Sequence, residues 1–271
     1  MTSANTLVAP QTSPADGNPV TSARGRKAEP TGGLAPFPRR PARLALPVVE
    51  ALVDQIISGQ LPVGSQLPSE LTLCEIFGVS RITMREAVKS LEDKGLALAR
   101  QGSGTTVTEE DNWLLLDPIV LAAAVRHDTQ LTLLNQLVDM RAQLESPMAA
   151  QAARKASRTD IAEMAALLAL LDSQVDEQAS FLETDVAFHD RIMRASGNQL
   201  SRSIVRTVHA EARKNYRYSG DPTSAECRVS NDEHHAIFEC IKNQDEAGAE
   251  QAMSQHILRA WERRRPNRPP D

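Results

Sequence analysis

The sequence predicts a mainly α protein, an N-terminal winged helix-turn-helix followed by a C-terminal all-α antiparallel helical bundle. Three observations carry this reading. Residues 67–107 set out two short amphipathic segments, a glycine-marked turn, and then a strand, a turn and a strand. From Ile119 onward apolar residues recur at helical spacing, broken only by short polar or glycine-containing clusters. Aromatic residues are only 3% of the 271, while Ala and Leu abound, which favours helices over sheets.

Residues 1–43 are rich in Pro, Gly, Ser, Thr and Ala and lack apolar periodicity, so they read as a disordered basic tail. Arg24, Arg26, Lys27, Arg39, Arg40 and Arg43 would give it a loose electrostatic grip on a polyanion; a solvated tail without a role fits equally well. Residues 44–108 form the expected winged domain. Val48, Leu52 and Ile56 make an apolar stripe ended by Gly59, the supporting helix, and Leu61-Pro62-Val63-Gly64 turns the chain. Ser69 is placed to cap a helix whose inner face is Leu73, Ile76 and Phe77. Gly78 ends it, Val79 plugs the turn, and Ser80 caps a second helix with Met84, Ala87, Val88 and Leu91 inward.

The outer face of that second helix carries Arg81, Arg85 and Lys89 at four-residue spacing. Charges so spaced usually mark a solvated surface. Here the context argues for the major groove, because a hairpin follows at once: Leu96, Leu98 and Arg100 alternate as a strand, Gln101-Gly102-Ser103-Gly104 turns, and Thr105–Val107 returns.

The formal charge is −5, and residues 44–108 hold five Lys/Arg against seven Asp/Glu. The chain is therefore no generic polyanion binder, and specific binding would rest on a few placed cations, the basic tail and dimerisation. Three cysteines, Cys74, Cys227 and Cys240, show no CxxC spacing and no secretory leader precedes them, so a reduced cytoplasm is expected. No apolar run is long enough to span a bilayer.

Residues 109–118 read as a linker, residues 119–264 as a bundle and residues 265–271 as a tail. Expected helices cover 118–126, 130–155, 159–176, 178–196, 199–218, 223–243 and 246–264. Asp185 and His189 share one helical face beside Val186 and Phe188; His234 and His256 lie on two other helices. A carboxylate and three imidazoles could hold Zn²⁺, Ni²⁺ or Mn²⁺ with positions left open. A lone inward histidine is more often a hydrogen-bonded core residue, and spacing alone does not bring these four together.

The string Gly64, Leu67-Pro68-Ser69-Glu70, Val79-Ser80-Arg81, Arg85-Glu86-Ala87 and Gly102-Ser103-Gly104 resembles the DNA-binding domain of GntR-type transcription regulators. The resemblance implies base or phosphate contacts by Arg81 and Arg85 and minor-groove insertion by Gly102, with Thr83 assisting; Lys89 joins them as a DNA contact through the cationic stripe alone. Many members carry an Arg where this chain has Leu71. Asp185–His189, Gly197-Asn198, Glu233-His234 and His256-Ile257 are similar to the FCD effector domain of the FadR subfamily. Trp113 to Pro118 resembles the linker of a subgroup that includes sugar-acid regulators, and Arg141 with Glu145 matches a further Arg-x3-Glu pattern.

That second resemblance implies a metal held by Asp185, His189, His234 and His256, with Zn²⁺ first in line. It also implies a small carboxylate or sugar-acid effector, for which Arg141 and Asn198 are candidate contacts. Here His235 stands where members often have Arg, and His127 and His209 read as structural, His209 with a possible place in the pocket. The leading function is a metabolite-responsive regulator, usually a repressor, that binds a palindromic duplex DNA operator as a homodimer. The alternatives are a metalloenzyme fused to a DNA-targeting domain, for which no HExxH or nucleophile motif is present, and an architectural DNA binder whose helical half only dimerises.

Overall fold

The structure is a computed structural model and describes residues 45–100 and 102–265. The tail reading of residues 1–43, Gln101 of the wing turn and residues 266–271 of the C-terminal tail lie outside these. Helix α1 (Ala45–Ile57) buries Val48, Leu52 and Ile56 together with Val49 and Val53. Helix α2 (Glu70–Phe77) starts where the Ser69 hydroxyl accepts the Thr72 N–H and stops at Gly78, whose φ of 64° suits glycine. Helix α3 (Arg81–Asp93) is capped in the same way by Ser80 and buries Met84, Ala87, Val88 and Leu91.

Strands β1 (Ala97–Arg100) and β2 (Gly104–Val107) pair antiparallel from Ala97 opposite Val107 to Arg100 opposite Gly104. Backbone bonds from Leu67 to Thr105 and from Gly64 to Val107 fasten the turn before α2 to the outer edge of β2. Two expectations need correction. Leu96 is buried, but it precedes the strand, in the turn closed by its N–H on Leu91; the inward residue of β1 is Ala97, and Leu98 is 48% exposed. Ile76 is 64% exposed, because eight-residue α2 meets the core on a narrow face made by Leu73, Cys74 and Phe77.

The stretch expected as a linker is tied down. A 3-10 turn spans Glu110–Asn112, Trp113 packs on the first core, and its indole N–H donates to the Thr108 carbonyl. Asp117 caps α4 (Pro118–His127) by accepting the Ile119 and Val120 N–H groups, and it also pairs with Lys94 at 2.6 Å. Helix α4 is two-faced. Val120 and Ala123 belong to the core of the winged part, whereas Leu121 and Val125 belong to the core of the bundle. Asp54 on α1 reaches the same helix through Arg126 and His127.

The bundle comprises α5 (Thr132–Lys155), α6 (Arg158–Gln174), α7 (Gln178–Ser196), α8 (Gln199–Ala212), α9 (Tyr216–Ser219), α10 (Ser224–Lys242) and α11 (Glu246–Arg264). Capping boxes at Ser157/Asp160 and Thr223/Glu226 start α6 and α10, and Gly197 ends α7 at a φ of 75°. The single helix expected over 199–218 is two. The chain leaves helical geometry after Ala212, and the Asn215 side chain accepts the Arg217 N–H to begin α9 while its amide donates to the Val125 carbonyl of α4. Long α5 lies against α7 and α11, with α10 beside α11, so α7, α10 and α11 share one interior.

Candidate functional site

In the winged part, the apolar face of α3 anchors the helix and turns the opposite face outward. Arg81, Arg85 and Lys89 are all exposed on it, while Thr83 is half-buried, its hydroxyl 3.0 Å from Ser80 in the cap. Arg85 pairs with Glu70 of α2 at 3.0 Å on an exposed face, so the guanidinium is held but remains available to a stronger anion. Gly102, at the wing tip, has a φ of 81°, which a side chain would resist. Leu71, where the related pattern has a cation, is exposed beside Glu70.

In the bundle, Asp185 and His189 on α7, His234 on α10 and His256 on α11 offer ligand atoms all within 4.8 Å of one another. His256 Nε2 lies 3.1 Å from both His189 Nε2 and His234 Nε2, and His234 Nε2 lies 3.1 Å from Asp185 Oδ1. His189 and His256 each spend the other ring nitrogen on a carboxylate: His189 Nδ1–H donates to Glu145 at 2.7 Å and His256 Nδ1–H to Glu233 at 2.9 Å. Once Nδ1 carries the proton of a neutral ring, Nε2 carries a lone pair. Two Nε2 atoms 3.1 Å apart, each on a ring whose Nδ1–H is committed to a carboxylate, need either a shared proton or a cation between them.

The donor set fits a divalent metal. Ligand atoms about 2.1 Å from an ion stand roughly 3.0 Å apart in octahedral and about 3.4 Å in tetrahedral arrangement. The buried carboxylates complete the pattern in which outer partners fix the tautomer and aim of the ligating rings. His234 departs from it, its buried Nδ1 having no partner.

The electrostatics agree. Burial and the neighbouring His234 push His256 down to about 3, and burial also lowers His234, so both rings are neutral near pH 7. Burial would raise Asp185, but the hydrogen bond with His234 and the adjacent imidazoles hold it well below the usual carboxylate range. Burial likewise acts against Glu145, which Arg141 and His189 keep ionised. Glu233, despite its burial, is held at about 2 by His256 and by Arg263, which grips it with two N–H bonds at 2.7 and 2.9 Å.

A cavity of about 640 Å³ opens between α7 and α8 next to this centre, lined among others by Glu145, His189, His209, Arg202, Arg206 and Arg213. Arg202 is committed to Asp190 through two bonds of 2.8 Å. Burial drives His209 well below its usual value, so it presents a neutral ring. The two expected effector contacts do not line this cavity. Arg141 is buried, its Nε–H on Glu145 at 2.6 Å and an Nη1–H on Tyr218 at 2.8 Å. Asn198 caps α8 by accepting the Ser201 N–H. His235 faces away from the centre and pairs with Asp172 at 2.9 Å on the exposed side, and His127 pairs with Asp54.

Sequence reasoning missed Tyr218 and Arg263. Tyr218 was hidden by drawing one helix through residue 218, although the asparagine ahead of it marks a break. Arg263 follows His256 by seven residues, two turns along the same face, and that spacing was a usable signal. Glu233, which precedes the ligand candidate His234, is committed to the interior through His256 and Arg263.

Comparison with known proteins places these features in a family. Residues 44–107 match the profile described as bacterial regulatory proteins, gntR family, and residues 136–259 match the FCD domain. The chain is 28% identical over 205 residues to the galactonate operon transcriptional repressor of Escherichia coli K12, covering 76% of this chain and 90% of that protein. It is 29% identical over 209 residues to the regulator LutR of Bacillus subtilis (74% and 92% covered) and 29% identical over 236 residues to the repressor NanR of Klebsiella aerogenes (81% and 85%). Among solved structures, Lar, which controls the agr system of Listeria monocytogenes, aligns at a TM-score of 0.51 and 16% identity, covering 80% of this chain and 94% of Lar, a likeness of fold. A gntR-type winged domain followed on the same chain by an FCD domain makes this protein a member of the GntR family of transcription regulators, of the FadR-like kind.

Proposed function

We propose that the protein is a repressor that binds a palindromic operator as a homodimer and releases it when a small organic or sugar acid binds beside a metal ion in the bundle. Residues 44–108 read the DNA, with Arg81, Thr83, Arg85, Lys89 and the Gly102 wing at the duplex. Residues 119–264 dimerise and sense the acid. Asp185, His189, His234 and His256 hold the metal, Zn²⁺ in preference to Ni²⁺ or Mn²⁺. The observation that carries this reading is the approach of three buried Nε2 atoms, two of them on rings whose other nitrogen is fixed by a carboxylate.

A divalent ion with one carboxylate and three neutral imidazoles leaves about one positive charge, which draws an anion into the adjoining cavity. Arg213 and Arg206 at its rim add to that field, and His209 offers a neutral hydrogen-bonding ring. Arg141 and Asn198 support the site from behind, Arg141 through Glu145 and Asn198 through the start of α8. Response at the DNA follows from α4. The carbonyls of Val125 and Asp128 near its end accept from Asn215, which caps α9, and from Arg217 within it, Tyr218 of α9 holds Arg141, and α4 in turn packs into the winged core. For such a chain to switch, the acid must bind two arrangements of it unequally; about 2–3 kcal/mol of coupling suffices.

The test is a thermal-shift series on the purified, metal-analysed protein with sugar acids, galactonate first because of the related repressor, then hydroxy acids and dicarboxylates. An acid in hundredfold excess over its Kd adds roughly 2.7 kcal/mol of stability. A rise in Tm that a chelator or His256→Ala removes, and that weakens operator binding, is the expected result. Metal-free protein that no acid stabilises would overturn the sensor reading and leave DNA binding as the function.

A further inference from the structure

Ile82 is the most outward residue at the start of α3. An α-helix turns about 100° per residue, so Ile82 stands roughly 200° around the axis from Met84 and about 180° from Leu91, both fully buried against the winged core. The side chain therefore leaves the helix opposite the core, and it is 73% exposed, the largest value among the exposed large apolar residues of the winged part. Arg81 and Thr83 flank it on either side. Local structure does not call for an isoleucine at this place: the position buries little, and β-branching is a slight handicap in a helix.

We infer that Ile82 is a specificity-determining residue that reads the 5-methyl group of a thymine in the major groove. The inference rests on α3 being the helix that enters the groove. The residues that reach base edges in this motif lie at the N-terminal end of that helix. An aliphatic side chain aimed there can neither donate nor accept a hydrogen bond, and the apolar feature on the groove floor is the thymine methyl. With an acidic balance in residues 44–108 and Leu71 in place of a cation, phosphate attraction contributes less than usual, which leaves more of the discrimination to such a contact.

The experiment starts from duplexes enriched out of a random pool by the full-length protein. Each thymine of the enriched site is then replaced by uracil, which deletes one methyl group and leaves the pairing edge unchanged. At one or more positions, wild-type affinity should fall about fourfold, the worth of one buried methyl-sized group. Ile82→Ala should bind thymine and uracil duplexes alike, at the level of wild type on uracil, and Ile82→Val should retain part of the difference. The exposed position leaves the fold intact, which an unchanged Tm confirms. Methyl sensitivity that is absent, or that survives in Ile82→Ala, overturns the inference while α3 keeps its role. A pool that yields no enriched duplex overturns both.

Discussion

The Tyr218 hydroxyl accepts a hydrogen bond from Arg141 Nη1 at 2.8 Å, and this contact fastens short α9 to the helix that carries Glu145. Trp261 stacks on the Tyr218 ring at 5.9 Å, and the next residues back along α9 hold the end of α4. Tyr218→Phe keeps the stacking and removes only the hydroxyl. It should cost about 1.5–3 kcal/mol of stability, the range for a hydrogen bond to a charged group, and leave bound metal unchanged. It should also blunt the loosening of operator binding by the effector. Denaturant titration, metal analysis and operator titration with and without effector check the three parts. A full response in the variant would place the coupling elsewhere.

The ligating rings depend on their outer partners. Glu233 receives His256 Nδ1–H and both arms of Arg263, so Glu233→Gln preserves shape while removing the charge that fixes the His256 tautomer. Metal affinity should fall by about 10- to 100-fold, measured by competition with a chromophoric chelator. His189→Ala and His256→Ala should lower stoichiometry outright while apo DNA binding persists. Metal content at wild-type level in either alanine variant would show that the ligand set is different.

Recognition by α3 separates into two kinds of contact. Arg81→Ala and Arg85→Ala should each lose about 1–3 kcal/mol on the preferred duplex and little on unrelated DNA. Lys89→Ala should weaken both equally and flatten the salt dependence by about one unit of slope. Arg85 carries an additional expectation. Its pairing with Glu70 competes with DNA, so Glu70→Gln should tighten binding slightly at low salt. Unchanged affinity in both arginine variants would remove the helix from the groove.

The periodicity of the sequence made the helices legible because each buries a continuous stripe, as α1 does with Val48, Leu52 and Ile56 and α3 with Met84, Val88 and Leu91. Caps were legible for the same local reason: Ser69 and Ser80 need only the chain three residues ahead. Errors fell where tertiary partners decide. Asn215 could stay in a helix by propensity, yet it turns outward to satisfy Val125 of a distant helix. For Arg141 the sequence left a carboxylate contact and an intradomain ion pair equally open, and only the fold reveals its bonds to Glu145 and Tyr218. The four candidate ligands were legible by residue type and family pattern. Of their outer partners, Arg263 was signalled only by its seven-residue spacing from His256, whereas Glu145 meets His189 across helices that spacing cannot relate.

Gly95 is the joint between α3 and the wing. It has a φ of 74°, and a Cβ built there would overlap the carbonyl of Asn112, which the 3-10 turn after β2 brings against it. The same joint is tied by Thr108, whose hydroxyl donates to the Gly95 carbonyl, and by the Leu114 N–H on Lys94. Gly59, at a φ of 79° with open space around it, isolates the backbone part of the cost. Gly59→Ala should therefore lose about 1–2 kcal/mol. Gly95→Ala should lose clearly more and also weaken operator binding, because relief of the overlap must shift either the wing or residues 109–118. Equal losses in the two variants, read by denaturant unfolding, would mean that the turn at Asn112 gives way freely and does not hold the wing to α4.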